Sequence, residues 1–357
     1  MYINSHNEEK GGLKDKAHSQ LSSLQINQKD KTPKYKQIVK SVIKDIERGY
    51  YTKNDQLMSI TELSIEYLLS RDTVEKAYRE LKILGYIESV HGKGFFVKSV
   101  KEQKTKVLFV MNKMSSYKKI IYYSLLEKLG SDAKVDLHIH NYDLEAFDDI
   151  IEKNIGNYNY YIVMPHFRNE YQPESIQRIL NKIPKNELIL LDKKIAGFED
   201  VPTIYQDFEK DIFNVFEQNL DILNRYEKLE FIFPANENYP KEIAQGFRTF
   251  CAFNNITSAV STSANDALRG FENKTLYVVI EDNDLASVIK FSKEKGLKLG
   301  SDIGLISFND TTLKEVLGVT VITTDFEAMG KRAGEVLLNK LKISEKNDFY
   351  LINRDSA

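Results

Sequence analysis

The stretch SRDTVEKAYRELKILG, residues 70–85, decides the interpretation of the N-terminal part of this chain. Ser70 is of a type that caps the start of a helix, and Gly85 is of a type that ends one. Val74 and Leu81 lie at helical spacing on one face, which predicts packing against a core. The first turn carries short or charged groups. A helix N-terminus presents unpaired N–H groups and partial positive charge, so this end suits a phosphate-bearing partner.

Two further helices and a hairpin are predicted around this stretch. PKYKQIVKSVIKDIERGYY has apolar residues at helical spacing. SITELSIEYLLS begins with Ser59 and Glu62, the spacing of a capping box. YIESVHGKGFFV predicts two strands joined by a glycine-containing turn. Three helices and a hairpin predict a winged helix-turn-helix over residues 34–99.

Composition excludes several classes of protein. The 357 residues carry a net charge of −2, and no apolar run approaches the ~20 residues of a membrane span. Cys251 is the single cysteine, which excludes an internal disulfide and a multi-cysteine metal site. The N-terminus lacks the apolar core of a secretion signal. These features favour a cytoplasmic protein without a membrane partner and without a metal site.

The chain divides into a small head and a large body. Residues 1–33 are polar and lack periodicity, which predicts a flexible tail, and the charged residues 100–106 predict a linker. Residues 34–99 hold twelve basic and nine acidic side chains, so the head is basic and the remainder acidic. From residue 107 to 357, apolar runs such as KVLFVM, LILLD and IGLISF alternate with helical stretches. This pattern predicts an α/β fold of two doubly wound lobes that bind an effector and dimerise.

The head resembles the GntR family of bacterial transcription regulators. The resemblance rests on SITELSIEYLLSRDTVEKAYRELKILGYIESVHGKGFFV, with its S-R-x-T-V core and G-x-G wing. It implies that the first turn of the third helix enters the major groove of operator DNA and that the wing reaches the minor groove. The implied DNA-binding residues are Ser70, Arg71, Thr73, Lys76, His91, Gly92 and Lys93.

Taken by itself, the pattern of the third helix is also compatible with a capped surface helix that has no DNA-binding role. His91 is likewise compatible with an ordinary turn residue. Thr61 stands where the family often has Arg, and Glu75 stands where Arg or Gln is common. These two departures predict fewer charged contacts with DNA than in better-known members.

The body resembles the sugar-sensing domains of LacI-type repressors, which are related to periplasmic sugar-binding proteins. The resemblance rests on residues 278–341, which contain N-D-L-A, G-S-D-I, S-F-N-D and TTDFEAMGKRAGEVLL. Arabinose-repressor and fucose-operon regulators combine the two domain types. A monosaccharide such as fucose or arabinose is therefore the expected effector.

Candidate ligand-binding residues follow the predicted strands, because ligands of open α/β sheets bind at the carboxyl ends of strands. Lys241 is included because Ile243 stands where the family often has Arg. The full set is Lys113, Ser116, Tyr117, His166, Arg168, Lys241, Asn283, Asp284, Asn309 and Asp310.

Structural roles compete with binding at several of these positions. Asp284 and Asp310 fit helix caps or hinge residues as well as ligand contacts. Arg168 fits a solvated loop residue. Asp192, which ends LILLD, is equally compatible with a structural role.

The residues and resemblances together predict a ligand-controlled regulator, a homodimer that reads a pseudo-palindromic operator in double-stranded DNA. The alternative is a cofactor-dependent enzyme fused to a DNA-binding head, and a third is a ligand-binding protein without DNA affinity. No Walker loop, G-x-S-x-G or H-E-x-x-H motif is present, so no catalytic residue and no cofactor are assigned.

Overall fold

A computed structural model describes residue 26 and residues 32–47, 49–98, 104–168, 170–234 and 238–357. Most of the predicted tail, and the predicted linker up to residue 103, lie outside the described residues. The chain folds into two compact units, Met1–Thr105 and Lys106–Ala357.

The first unit is a winged helix-turn-helix. Its helices are α1 (Lys34–Glu47), α2 (Ile60–Glu66) and α3 (Arg71–Ile83). Its strands β1 (Gln56–Leu57), β2 (Ile87–Val90) and β3 (Gly94–Val97) form an antiparallel sheet in the order β1-β3-β2. The predicted capping box at Ser59 and Glu62 is confirmed. One apolar core joins these elements and buries the predicted stripe of α3, including Val74 and Leu81.

The second unit begins with a lobe built on one six-stranded sheet, which we call the first lobe. Its strands lie in the order β14-β8-β7-β6-β4-β5. They are β4 (Thr105–Met111), β5 (Ala133–Ile139), β6 (Tyr160–Val163), β7 (Leu188–Asp192), β8 (Thr203–Tyr205) and β14 (Ser344–Lys346). Helices α4 (Ser116–Leu129), α5 (Leu144–Asn154), α6 (Pro173–Leu180) and α13 (Phe326–Asn339) belong to this lobe. The last two residues of the predicted linker are therefore strand.

The second lobe holds the other six-stranded sheet, in the order β10-β9-β11-β12-β13-β15. Its strands are β9 (Lys228–Ile232), β10 (Ser258–Ser261), β11 (Thr275–Val279), β12 (Gly304–Phe308), β13 (Thr320–Thr324) and β15 (Phe349–Ile352). Its helices are α7 (Phe208–Glu217), α8 (Leu220–Leu223), α9 (Lys241–Phe253), α10 (Ala264–Arg269), α11 (Asp282–Glu294) and α12 (Thr312–Val316). The ladders are parallel from β10 to β13, and β15 is antiparallel to β13.

Close helix packing stabilises each lobe, and glycine permits it. A Cβ on Gly330 of α13 would lie 2.3 Å from the Ile121 carbonyl oxygen of α4. A Cβ on Gly246 of α9 would lie 2.4 Å from the Glu209 carbonyl oxygen of α7. No side chain larger than hydrogen fits at either position, because such distances are well inside van der Waals contact.

The chain passes between the lobes three times, after β8, β13 and β14. Asn347 ties these crossings together. Its Nδ2 donates to Thr324 Oγ1 at 2.7 Å and to the Asp325 carbonyl at 3.1 Å, and its backbone N–H donates to the Tyr205 carbonyl at 2.8 Å. The three crossings therefore form one hydrogen-bonded hinge between two doubly wound lobes, as the sequence predicts.

Candidate DNA-contacting surface and effector cleft

The start of α3 presents polar groups to solvent. Ser70 is the N-cap: its Oγ accepts from the Thr73 backbone N–H at 3.2 Å and lies 2.7 Å from Thr73 Oγ1. Ser70 and Arg71 are exposed, and Thr73 is partly exposed. This turn combines a helix N-terminus, two hydroxyls and a guanidinium on one open surface, a set suited to phosphates and base edges.

Further along α3, the basic side chains already have partners. Lys76 Nζ lies 4.1 Å from the centroid of the Tyr35 ring, a cation–π contact. Arg79 donates to Glu75 at 3.1 Å, an i,i+4 pair on the exposed surface. Part of the positive charge of α3 is thus compensated within the head, and Arg71 at the helix start has no ion pair among the described residues.

The hairpin turn between β2 and β3 is held by a side chain from β1. Gln56 Nε2 donates to the Lys93 carbonyl at 2.8 Å. Gly92 and Gly94 have φ of +71° and +110°, a region that side chains with a Cβ rarely adopt. His91, Gly92 and Lys93 are exposed at the tip. The wing is therefore a preformed projection with an imidazole and an ammonium exposed at its tip.

In the second unit a cleft lies between the two lobes, at the carboxyl ends of both sets of strands. The space within it, including the part open to solvent, is about 560 Å³. Its lining residues are Asn112, Tyr117, Lys118, Tyr142, His166, Asp192, Gln206, Phe208, Asn238, Tyr239, Pro240, Ile243, Ile280, Phe308, Asn309, Phe326 and Phe349. The cleft is thus the place that the sheet topology assigns to a ligand.

Asp192 is the centre of the polar wall in the first lobe. It is buried at the end of β7 with φ of +76°, in the left-handed region. Its Oδ2 lies 2.7 Å from His166 Nε2, and its Oδ1 accepts from Gln206 Nε2 at 2.5 Å. Burial alone would raise the pKa of Asp192, but His166 and Lys118 outweigh it, so the pKa lies below its usual value.

Lys118 adds a buried cation to this wall. It comes from the first turns of α4, and its Nζ donates to Asn112 Oδ1 at the end of β4. Burial lowers the pKa of Lys118 to about 8, although Asp192 acts in the opposite direction. Burial also lowers the pKa of His166, again opposed by Asp192. The first-lobe wall thus holds one carboxylate, one ammonium and a neutral imidazole.

The facing wall and the hinge side are mostly apolar and aromatic. Phe208, Phe308 and Phe349 line this side, and the Phe208 ring lies 6.1 Å from the His166 ring in an edge-on contact. Tyr239 donates its hydroxyl to Glu281, and burial raises the pKa of that hydroxyl. A polar wall opposite flat apolar surfaces suits a small ligand with many hydroxyls and an apolar face.

Two contacts bridge the lobes beside the cleft. Lys193 Nζ of the first lobe lies 3.4 Å from Glu242 Oε1 at the start of α9. Lys113 Nζ lies 5.3 Å from the centroid of Tyr239 and 5.9 Å from that of Tyr142. The contacts of Lys193 with Glu242 and of Lys113 with Tyr239 join side chains of opposite lobes, so they break if the lobes separate.

Three of the predicted ligand-binding residues line the cleft: Tyr117, His166 and Asn309. The other seven do not line it. Arg168 is exposed, 3.9 Å from Asp143, and Lys241 and Asn283 are exposed. The full set outside the lining is Lys113, Ser116, Arg168, Lys241, Asn283, Asp284 and Asp310.

Asp284 and Asp310 both have structural contacts inside the second lobe. Asp284 Oδ1 accepts from the Ala264 N–H at the start of α10, at 2.8 Å. Asp310 is held by both terminal nitrogens of Arg354, each at 2.9 Å. Both carboxylates therefore serve the second lobe itself.

Sequence reasoning did not select Asn112, Lys118, Asp192 or Gln206. The position of Asn112 indicates a cleft residue, because it directly follows the apolar run KVLFVM. Asp192 likewise ends the apolar run LILLD. Lys118 lies on a helix with little amphipathic pattern, and Gln206 follows a strand of only three residues. Nothing local predicts that those two side chains turn inward.

Across the residues that the structure describes, no group of three His, Cys, Asp or Glu side chains is placed to hold a metal ion. Over the same residues, no helix is both long and apolar enough to cross a membrane.

Two family models match the chain. The model described as bacterial regulatory proteins, gntR family, matches residues 34–97. The model described as periplasmic binding protein-like domain matches residues 224–356. The first match falls on the winged helix-turn-helix and the second on the second lobe and the C-terminal elements.

Relatives of known description are regulators. The chain is 27% identical over 203 residues to the HTH-type transcriptional regulator TreR of Bacillus subtilis, covering 57% of this chain and 76% of that protein. It is 21% identical over 354 residues to the arabinose metabolism transcriptional repressor of Geobacillus stearothermophilus, covering 88% and 93%. These relatives are transcriptional regulators rather than enzymes.

Solved structures share the fold of the body. The lac repressor dimer bound to operator and the anti-inducer ONPF has a TM-score of 0.58 at 15% identity, with 71% of this chain and 94% of that chain covered. A periplasmic binding protein/LacI transcriptional regulator from Alkaliphilus metalliredigens in complex with D-xylulofuranose has a TM-score of 0.53 at 16% identity, covering 71% and 99%. The chain therefore joins a winged helix-turn-helix domain of the gntR type to a periplasmic-binding-protein-like domain, and the body has the fold of the lac repressor.

Proposed function

We propose that this protein is a cytoplasmic repressor that binds operator DNA as a homodimer and changes its operator affinity when a monosaccharide occupies the cleft. L-Arabinose and L-fucose are the proposed effectors. The single observation that carries this proposal is the cleft of the second unit, where buried polar groups of one lobe face aromatic groups of the other.

The surface of the head supports the DNA-binding half of the proposal. Ser70, Arg71 and Thr73 gather on one open helix terminus, and the wing tip projects His91 and Lys93. We assign the helix terminus to the major groove and the wing to the minor groove. Lys76 contributes to this surface after releasing its contact with the Tyr35 ring.

The cleft supports the sugar-binding half of the proposal. Its first-lobe wall offers charged and amide groups that pair with hydroxyls, and its other wall offers rings on which a sugar face packs. The repressor of arabinose metabolism among the relatives, and the sugar-bound regulator among the solved structures, support the same ligand class.

The hinge supports coupling between the two halves. Three chain crossings meet at Asn347, so a ligand that draws the lobes together moves them about one fixed point. In a dimer on a two-fold operator, such a movement alters the spacing of the two heads. Coupling of this kind has a typical free energy of ~1–3 kcal/mol and acts in both directions.

A thermal-shift screen tests the effector assignment. We expect L-arabinose or L-fucose to raise the melting temperature, because a ligand that binds only the folded state stabilises it. Sugar phosphates, sugar acids and nucleobases form the comparison set. A shift produced only by nucleobases would contradict the sugar assignment.

A further inference from the structure

We infer that Asp192 is a positioning residue that fixes His166 as a hydrogen-bond acceptor toward the cleft, and that this selects an uncharged polyhydroxyl ligand over an anionic one. The inference rests on the proposed function and deepens it, because it specifies the chemical class of the ligand and the side chains that discriminate. It follows from the hydrogen-bonding capacity of each group in the first-lobe wall.

The proton on His166 is determined by its partner. An ionised carboxylate only accepts hydrogen bonds, so the 2.7 Å contact with Asp192 Oδ2 requires that His166 Nε2 carries the hydrogen. Burial keeps the imidazole neutral, so Nδ1 carries a lone pair and acts as an acceptor. His166 lines the cleft, and among the described residues Nδ1 has no hydrogen-bond partner.

The same reasoning orients Gln206. Its Nε2 donates to Asp192 Oδ1 at 2.5 Å, so its carbonyl oxygen is the group left for another partner. By accepting from both groups, Asp192 therefore leaves two acceptor atoms for a ligand: His166 Nδ1 and the Gln206 side-chain oxygen. Each of its own two oxygens already accepts one hydrogen bond, so we assign Asp192 the role of a positioning residue.

Donors lie beside these acceptors. Lys118 Nζ uses one hydrogen on Asn112 Oδ1, which leaves the remaining hydrogens of the ammonium and the Asn112 NH₂ group. A hydroxyl both donates and accepts, so neighbouring hydroxyls satisfy the acceptors and the donors of this wall together. A phosphate or carboxylate group placed against these acceptors only accepts hydrogen bonds, so at that point it would leave His166 Nδ1 and the Gln206 oxygen without a donor.

Charge balance points the same way. The ammonium of Lys118 is compensated by the carboxylate of Asp192 within the wall. Nearby cations have partners of their own: Lys193 pairs with Glu242, and Arg168 lies near Asp143 and Glu170. Among the residues that line the cleft, Lys118 is the only lysine or arginine. Lys113, beside the cleft, packs its ammonium against the Tyr142 and Tyr239 rings.

The tautomer of His166 is measurable in the ligand-free protein. In nitrogen-15 spectra of protein labelled at its six histidines, the His166 signals are identified by their loss in His166→Asn. We expect hydrogen on Nε2 and none on Nδ1 near neutral pH, and a changed tautomer population in Asp192→Asn. Asn is the matched replacement, because it keeps the shape and is among the few residues that tolerate a positive φ. Hydrogen on Nδ1 in the wild type would overturn the inference.

Calorimetric titration tests the selection. L-Arabinose and L-fucose are compared with L-arabinonate, the carboxylate counterpart of arabinose. We expect Asp192→Asn to weaken binding of the neutral sugar by about 10- to 100-fold, the effect of leaving a buried polar group unpaired. Asp221→Asn, an exposed change on α8, is the control without effect. Tighter binding of L-arabinonate, or unchanged sugar affinity in Asp192→Asn, would contradict the inference.

The two proposals fail separately. If neither L-arabinose nor L-fucose binds the wild type, the effector identity proposed above is wrong. The histidine spectrum then still decides whether Asp192 fixes the tautomer of His166.

Discussion

The head and the effector cleft hold their polar groups in opposite ways. In the head, Ser70, Arg71 and Lys93 stand on exposed turns, and Arg71 has no ion pair among the described residues. In the cleft, Lys118 and Asp192 are buried, and each is engaged with neighbouring side chains. The polar groups of the head are therefore exposed to solvent in the absence of a partner. Those of the cleft are buried and hydrogen-bonded to one another.

This difference determines which property a substitution changes. An exposed side chain costs little stability when it is removed, so its loss affects partner binding alone. A buried ionised group that loses its partner stays in a low-dielectric site, so its loss affects folding as well. Head substitutions should therefore separate binding from stability, and cleft substitutions should not.

Asp192→Ala should give the largest effect. It removes the partner of His166 and Gln206 and the charge that compensates Lys118. We expect the free energy of unfolding of the body to fall by about 3–5 kcal/mol, the usual cost of leaving a buried charge, here that of Lys118, without its compensating charge. Urea unfolding followed by circular dichroism measures it. Arg71→Ala is the matched comparison, with a change below about 0.5 kcal/mol. Equal losses of unfolding free energy in Asp192→Ala and Arg71→Ala would contradict the proposed difference between the buried cleft and the exposed head.

Arg71→Ala should give the largest effect on DNA binding. Each arginine contact with a base or phosphate contributes about 1–3 kcal/mol, and a dimer makes the contact twice, so operator affinity should fall by about 30-fold or more. Arg79→Ala is the control on the same helix, because Arg79 is already paired with Glu75. Fluorescence anisotropy with labelled operator measures both variants. An equal loss for Arg79→Ala would mean that total charge, and not the helix terminus, determines binding.

The head could be predicted almost completely because its signals are local. Ser70 and Gly85 bound the third helix in the sequence, and the structure places α3 at Arg71–Ile83 with Ser70 as its N-cap. The two-lobed fold was also predictable, because continuous apolar runs alternate with helices along the whole body.

The polar wall of the cleft could not be predicted to the same extent. Asn112 and Lys118 come from the segment that runs from β4 into α4, and Asp192 and Gln206 come from two other segments, so the wall is complete only after the sheet has formed. Of the side chains predicted from their position after strands, Tyr117, His166 and Asn309 line the cleft. The same rule placed Asp284 and Asp310 in the cleft, but contacts inside the second lobe hold both.

Acid should destabilise the body through a second buried histidine. His140 is fully buried between Phe147 and Phe167, and burial lowers its pKa from 6.5 to about 4. Between these values the unfolded state binds more protons than the folded state, so stability falls as the pH decreases through this window. At pH 5 the loss is about 2 kcal/mol.

His140→Leu removes this proton-binding site while it keeps the position apolar. We expect the variant to lose about 2 kcal/mol less than the wild type when urea unfolding at about pH 5 is compared with that at about pH 7.5. An identical loss in both proteins would show that His140 is not protonated on unfolding.

Coupling between the cleft and the head is the central claim, and operator anisotropy with and without sugar tests it most directly. The operator is first selected from random duplex DNA with the full-length protein, and its affinity is then measured with saturating L-arabinose or L-fucose. We predict that the sugar shifts the operator Kd by about 5- to 150-fold, the range typical of allosteric coupling. An unchanged operator Kd, at a sugar concentration shown by calorimetry to fill the cleft, would contradict the claim.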